Sequence, residues 1–465
     1  MTFRFLVSMS GRPMAAIAHN VVGLQHATMA IFNAWVDRAP VLVLGGTGPM
    51  DTTRRRPWID WVHTANVQGN LVRDYVKFDD QPASLAAVPD ALYRAYRSMC
   101  LEPTGPVYVC FDAAIQEDRV PAGLTVPDPK PYVETSRPGA DLAALARAAD
   151  WLAAAERPAI AVGRFGRHPE SVPALAALAE LLGAPVISSE ERFNLPNTHP
   201  LNLSGADADV IRAADLILAL DVWDLAQALN PRDGSGQTRP TLQAETKIVE
   251  IKLGDLAVRS WTHDFQTLVP TDLSIVADSS VCLGALTELV RERLPGRRAV
   301  GDQRRARWTA RHDELRATWR REAAARAEES PIAVAAMAAA VWETIRDEDW
   351  VLAYHSHNPW PRRLWELDAP YRYASGPTGG GVGVGIGLAA GVALAHRNSG
   401  RIVVSLQADG DLLYCTSALW TVAHDRLPLL MVMHNNRSYY NSAEHAQRMA
   451  ERRGRPLENH TVGTA

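Results

Sequence analysis

The chain has 465 residues, 47% hydrophobic and 22% charged, with a formal net charge of −4. That length exceeds one hydrophobic core and sets about two to four domains as the expectation. The near-balanced charge offers nothing for a nucleic acid or an anionic membrane to hold. Four cysteines, Cys100, Cys110, Cys282 and Cys415, follow neither a metal-ligand spacing nor a disulfide rhythm, which points to a reducing, cytoplasmic compartment. No apolar run approaches the roughly 18 residues a membrane span needs. The opening MTFRFLVSMSGRP has neither a cationic leader nor a small-residue cleavage site, so it is not read as a signal peptide.

Along the chain, short apolar runs alternate with Ala/Leu-rich helical stretches, the pattern of parallel sheets with crossover helices. Residues 1–120 carry strands at Pro40-Val41-Leu42-Val43-Leu44 and Pro106-Val107-Tyr108-Val109-Cys110. The proline-rich PAGLTVPDPKPYVETSRPG, residues 121–139, reads as a linker. Residues 140–295 open with a helix and continue through RPAIAVGRFG, APVISS, AADLILALD and TKIVEIK as a doubly wound unit. The tract QRRARWTARHDELRATWRREAAARAEES interleaves arginines with acids and is predicted to be a solvated helix. Residues 331–465 begin with the helix PIAVAAMAAAVWETI, then WVLAY, a glycine run, RIVVSLQADGD, a helix from about Thr416, and PLLMVMHNN. The fold class expected is α/β, three doubly wound parallel-sheet domains with the first and last incomplete. Too little chain precedes the first helix and follows the last strand for complete domains, so the sequence reads as a fragment truncated at both ends.

The chemistry concentrates in the last block. Ala408-Asp409-Gly410-Asp411 closes one apolar run, and Asn436, 27 positions after Asp409, closes the next. An aspartate at a strand's carboxyl end faces the crevice where open α/β sheets bind ligands. The next crossover helix and strand return Asn436 to the same edge. A carboxylate, an amide oxygen and a backbone carbonyl are hard donors suited to Mg²⁺, which keeps positions for water and phosphate oxygens. Gly410 lets a diphosphate approach the backbone. The plainer alternative is an Asp-Gly turn and an Asn-Asn turn with no shared purpose.

This stretch resembles the diphosphate-binding signature of the thiamine-diphosphate enzymes, GDG followed after a helix and strand by NN, with Ala408 replacing the first glycine. The resemblance implies Asp409, Asn436 and the carbonyl of Ser438 as Mg²⁺ ligands. Asp411 stands at a position near the diphosphate often held by a small or hydroxyl residue; a carboxylate there would cost binding unless it faces away or caps the following helix. In ASGPTGGGVGVGIGLAAGVALA, residues 374–395, Gly380-Gly381-Val382-Gly383 is similar to the family segment that cradles the aminopyrimidine ring, Val382 acting as the wedge. His355 and Asn358, in YHSHNPWPRRLW, occupy the place of a diphosphate-contacting turn; exposed turn residues are the alternative.

Residues 17–46, IAHNVVGLQHATMAIFNAWVDRAPVLVLGG, resemble the family's pyrimidine-binding domain, most closely in benzoylformate decarboxylases. There a histidine at the position of His19 handles protons; His26 and His63 are weaker candidates. Residues 140–295 resemble the central domain, which binds FAD in acetolactate synthases. VGRFGRH offers only Gly163 and Gly166 and no GxGxxG, so FAD and hydride transfer are not expected. The glutamate that activates the family's cofactor has no counterpart here. The first glutamate is Glu102, predicted on a surface turn. The resemblance therefore implies a thiamine-diphosphate and Mg²⁺ dependent 2-oxo-acid decarboxylase or carboligase, benzoylformate-decarboxylase-like or acetolactate-synthase-like. It implies a homodimer or homotetramer with the site at the subunit interface, inactive in the chain as written. The alternative is a non-catalytic cofactor-binding paralogue.

Overall fold

The computed structural model describes residues 12–133, 135–188, 192–230, 241–254, 268–294, 298–356, 358–374 and 379–458. The stretches MTFRFLVSMS and NHTVGTA, on which the reading of missing ends leans, lie outside these residues, as do His357 and 375–378 of the glycine run.

Three parallel sheets organise the described chain. The first contains β1 (Met14–Ile17), β2 (Val41–Thr47), β3 (Asp79–Asp80) and β4 (Val107–Asp112) in the order β1-β2-β4-β3. The second contains β5 (Pro158–Val162), β6 (Val186–Ser188), β7 (Leu216–Leu220), β8 (Lys247–Lys252) and β9 (Leu273–Val276), ordered β6-β5-β7-β8-β9. The third is β10 (Trp350–Tyr354), β11 (Ile402–Ala408) and β12 (Leu429–His434), in that order. In the second sheet the chain leaves β5 for β6, then returns past β5 to β7, the reversal of a doubly wound fold. PAIAV, LILAL and WVLAY are buried at every position. Continuous apolar runs rather than alternating ones form these strands because helices cover both faces. The edge strand β12 differs: Leu430 and Met433 are 40% and 46% exposed.

The arginine-rich tract is a helix with most of its positions exposed, as its charge pattern predicts, but one side of it is buried. It forms the Arg298–Ala325 helix, in which Trp308, His312, Arg316 and Ala323 are buried. Arg304 donates to the carbonyls of Leu182 (3.1 Å) and Ala155 (2.9 Å), and Arg305 to that of Glu180 (2.7 Å). Two of these acceptors end the Val172–Leu182 helix, where orphan carbonyls and the helix dipole favour a cation. Arg304 and Arg305 therefore act as staples against the central sheet's helices.

Glu102 is also not on a free surface turn. Its side chain, 7% exposed, accepts from Arg167 at 2.9 Å and approaches His168 at 3.4 Å. Burial pushes the Glu102 carboxyl up, but His168 and Arg167 together hold it below its ordinary value. Beside it Arg38 pairs with Asp221 at 2.9 Å, both side chains almost wholly buried. Burial raises the Asp221 carboxyl, and the guanidiniums of Arg38 and Arg167 outweigh it. Arg192 bonds Asp37 in the same region. The first and second sheets are thus joined by buried ion pairs, with Trp223 beneath the guanidiniums of Arg164 (3.8 Å) and Arg38 (5.5 Å).

Candidate functional site

Because β10, β11 and β12 run parallel, the segments that leave them emerge along one edge of the third sheet. Ala408 and His434 are cross-strand partners, so Asp409 and Asn435 begin side by side. From there the two segments are tied together. Asp409 Oδ2 accepts from the Arg437 backbone N–H at 3.0 Å, and Asn435 Oδ1 accepts from the same group at 3.1 Å. Asn436 Oδ1 accepts from Ser438 N–H at 3.0 Å. Arg437 has φ +52°, and this left-handed residue turns the loop back toward Asp409.

The other oxygen, Asp409 Oδ1, is buried and has no hydrogen-bond partner among the described residues. A buried carboxylate oxygen without a donor costs free energy that a cation would recover. Asp409, the Asn436 amide and the Ser438 backbone supply oxygen donors from one turn and one loop, a set that fits a hard divalent ion. Gly410 is buried at the start of the Asp409–Leu413 helix, its carbonyl 3.4 Å from the Tyr439 hydroxyl.

The glycine run lies beside this turn. Gly383, at φ +92°, starts the Val384–His396 helix, and a Cβ there would lie 2.7 Å from Tyr414 Cβ. Only glycine accepts both the conformation and the approach. Gly380, at φ +71°, faces open space, and Val382 is 49% exposed. Gly381 packs toward Met29 of the Val21–Val36 helix. Gly380 and Val382 are thus the exposed positions of the described run, and Val382 presents one apolar side chain.

Asp411 is turned away from the Asn436 loop. Buried, it accepts from Gly383 N–H (2.6 Å), Gly385 N–H (3.1 Å) and Gln407 Nε2 (2.6 Å). It caps a helix, as its charge requires, but the helix is the one preceding it in the chain.

His355 and Asn358 are buried rather than exposed turn residues. His355 Nε2 lies 2.9 Å from the Tyr373 hydroxyl, with the rings stacked at 5.8 Å. Asn358 Oδ1 accepts from Trp360 N–H at 3.0 Å, and its Nδ2 is buried without a partner among the described residues. His19 is exposed in the first domain, edge-on to His63 at 5.2 Å, and His26 is also exposed. Its described ring contact is with His63 and not with the third sheet's edge. Sequence reasoning missed Gln407, Asn33 and His434. Gln407 is fully buried in β11, and a polar residue inside an apolar strand was the available signal. His434 ends β12 with Nε2 buried and without a hydrogen-bond partner among the described residues; burial lowers its pKa against the opposing charge of Asp409.

Three family profiles match in chain order. They are the thiamine pyrophosphate enzyme N-terminal TPP binding domain (residues 5–70), central domain (145–286) and C-terminal TPP binding domain (356–461). A 2-hydroxyacyl-CoA lyase 1 of Mus musculus is 24% identical over 253 residues, 53% of this chain and 40% of the relative. The benzoylformate decarboxylase of Pseudomonas aeruginosa is 25% identical over 447 residues, 92% of this chain and 75% of the relative. The chain therefore spans well under half of the first relative's length and three quarters of the second's. The crystal structure of benzoylformate decarboxylase from Polynucleobacter necessarius shares the fold at TM-score 0.77 and 19% identity, over 100% of this chain and 80% of that one.

Proposed function

From the premise that this chain belongs to the thiamine pyrophosphate enzymes, we propose that it holds thiamine diphosphate with Mg²⁺ along the carboxyl edge of its third sheet. The observation that carries this reading is the buried, unpartnered Oδ1 of Asp409 beside the Asn436 loop. The activity proposed is that of a 2-oxo-acid decarboxylase or carboligase, benzoylformate-decarboxylase-like in the first instance. That relative is covered over 75% of its own length, against 62% for a probable acetolactate synthase 2 of Oryza sativa subsp. japonica, and this supports the order of preference. The site lies in a soluble, cytoplasmic protein on this reading; among the described residues no helix is long and apolar enough to cross a membrane.

Bound thiamine diphosphate supplies the nucleophilic carbon and electron sink that decarboxylation of a 2-oxo acid requires. The protein binds and orients. Asp409, Asn436 and the Ser438 carbonyl hold the ion, and Gly380, Gly381 and Val382 support the ring; the room expected at Gly410 for a diphosphate is taken by the Tyr439 ring, which a Cβ there would meet at 2.6 Å. The buried turn of His355 and Asn358 closes the same edge from β10. His19 is the proposed proton carrier, brought to the site by the first domain of a second copy in a homodimer or homotetramer. FAD has no part in this reading.

The first glutamate of the chain, Glu102, is committed to Arg167 and His168 and does not serve the ring. Cofactor binding is therefore proposed more broadly than turnover, and a non-catalytic binding protein is the second reading. Calorimetric titration of the chain with thiamine diphosphate and Mg²⁺ tests the first claim; no saturable heat with both present sinks it. Carbon dioxide release from benzoylformate and pyruvate separates an enzyme from a binding protein. A yellow purified protein with flavin absorbance would move the reading to the acetolactate-synthase branch.

A further inference from the structure

The glycine segment 379–383 is gripped at both ends by buried side chains from different domains. At its start, Gly379 N–H donates to Asn33 Oδ1 at 2.7 Å. Asn33 is 1% exposed, and its Nδ2 donates to the Met29 carbonyl at 2.8 Å, which fixes the direction of the amide. At its far end, Gly383 and Gly385 donate to the two oxygens of Asp411, and Gln407 Nε2 donates to one of them. Between these grips lie the left-handed Gly380, with open space beside it, and the half-exposed Val382.

Asp411 is an unexpected residue for this place. A carboxylate facing a diphosphate would repel it, and here the carboxylate instead satisfies the first N–H groups of the Val384–His396 helix. Its charge is consumed inside the protein by three N–H donors. What it determines is the orientation of the peptide at Gly383, and through it the position of the adjoining Val382.

We propose that Asp411 is a positioning residue for the cofactor's ring, with Asn33 as the second anchor, and that it makes no contact with the diphosphate. This rests on the reading that the site holds thiamine diphosphate. The two halves of that ligand are then held by separable parts of the protein. Asp409 and the Asn436 loop hold the diphosphate and its ion, while the segment pinned by Asp411 and Asn33 holds the ring.

Two probes separate the halves: magnesium pyrophosphate, which needs only the clamp, and magnesium thiamine diphosphate, which needs clamp and cradle. Each is titrated calorimetrically into the full chain and into Asp411→Asn, which keeps the volume but places an NH₂ where one N–H acceptor stood. The expected result is about tenfold weaker binding of thiamine diphosphate, with pyrophosphate changed by less than about twofold. Asn33→Ala should give the same pattern. Because Asn33 belongs to the first domain, this variant keeps the test decisive where Asp411→Asn does not fold. Near-ultraviolet circular dichroism of the bound cofactor should change in the variants at saturation. Equal weakening of both probes, or tighter binding of both, overturns the proposal and leaves the cofactor reading standing. Failure of the unaltered chain to bind either probe overturns the cofactor reading, and this proposal with it.

Discussion

Arg38 and Asp221 meet at 2.9 Å across the boundary of the first and second sheets, and both have left-handed backbones, at φ +56° and +50°. Neither is glycine, so each local conformation is unfavourable by itself and is held by the tertiary contact. Removing one partner leaves the other charge buried. Asp221→Ala is expected to cost about 3–5 kcal/mol of stability. Replacing both residues with apolar ones of similar size should cost markedly less. Urea denaturation of the two single variants and the double variant checks this, and equal losses in all three would refute it.

The same interface sets an acid limit. Glu102 and Asp221 both titrate lower in the folded chain than in the unfolded one. The unfolded state therefore takes up protons first as pH falls, and stability is lost with it. The contribution is complete above the ordinary carboxylate range and disappears as pH drops through that range toward the folded values. We expect urea midpoints to fall below about pH 5, and Glu102→Gln to flatten that slope while lowering stability at neutral pH. An unchanged acid slope in Glu102→Gln would remove Glu102 from the account.

Ligand linkage tests the clamp without any turnover assay. At one hundred times Kd, thiamine diphosphate with Mg²⁺ should raise unfolding free energy by about 2.7 kcal/mol. Chelation of the metal should abolish that gain, and so should Asp409→Ala, whose Oδ1 is the buried unpartnered oxygen. Stabilisation that persists in Asp409→Ala would show the ion sits elsewhere.

Two glycines with similar backbones separate strain from crowding. Gly400 has φ +77° with nothing near its missing Cβ, whereas Gly383 has φ +92° and Tyr414 Cβ at 2.7 Å. Gly400→Ala should cost about 1 kcal/mol from backbone strain, and Gly383→Ala distinctly more. Thermal denaturation of both, compared at one temperature, gives the ranking; a Gly383→Ala loss no larger than that at Gly400 would contradict it.

The strands and the meeting of Asp409 with the loop of Asn436 were legible because their signals are local. WVLAY, RIVVSLQA and PLLMVMH are continuous apolar runs, and the polar residues that end them must emerge on one edge once the strands pair in parallel. The orientation of Asp411 was not legible, because it depends on Gly383, 28 positions earlier, presenting an N–H at the right place. Glu102 looked superficial because nothing in its own turn announces Arg167 and His168, which arrive from the next domain. The buried side of the arginine tract was hidden for a related reason: Arg304 and Arg305 bond the carbonyl ends of other helices, which carry no charge in a sequence. The membership of residues in separate domains, 1–120, 140–295 and 331–465, remains a proposal that limited proteolysis would test.

The hydrogen bond from Gly379 to Asn33 has a thermodynamic corollary. A ligand that settles against the glycine segment must also act on the Val21–Val36 helix, because one amide group belongs to both. By reciprocity, whatever free energy the seating of that helix lends to the ligand, the ligand returns to the seating. Residues such as Phe32 and Met29, which pack on Gly379 and Gly381, then become affinity determinants without touching the ligand. Exchange of the Gly379 amide with solvent deuterium would report both events in a single signal.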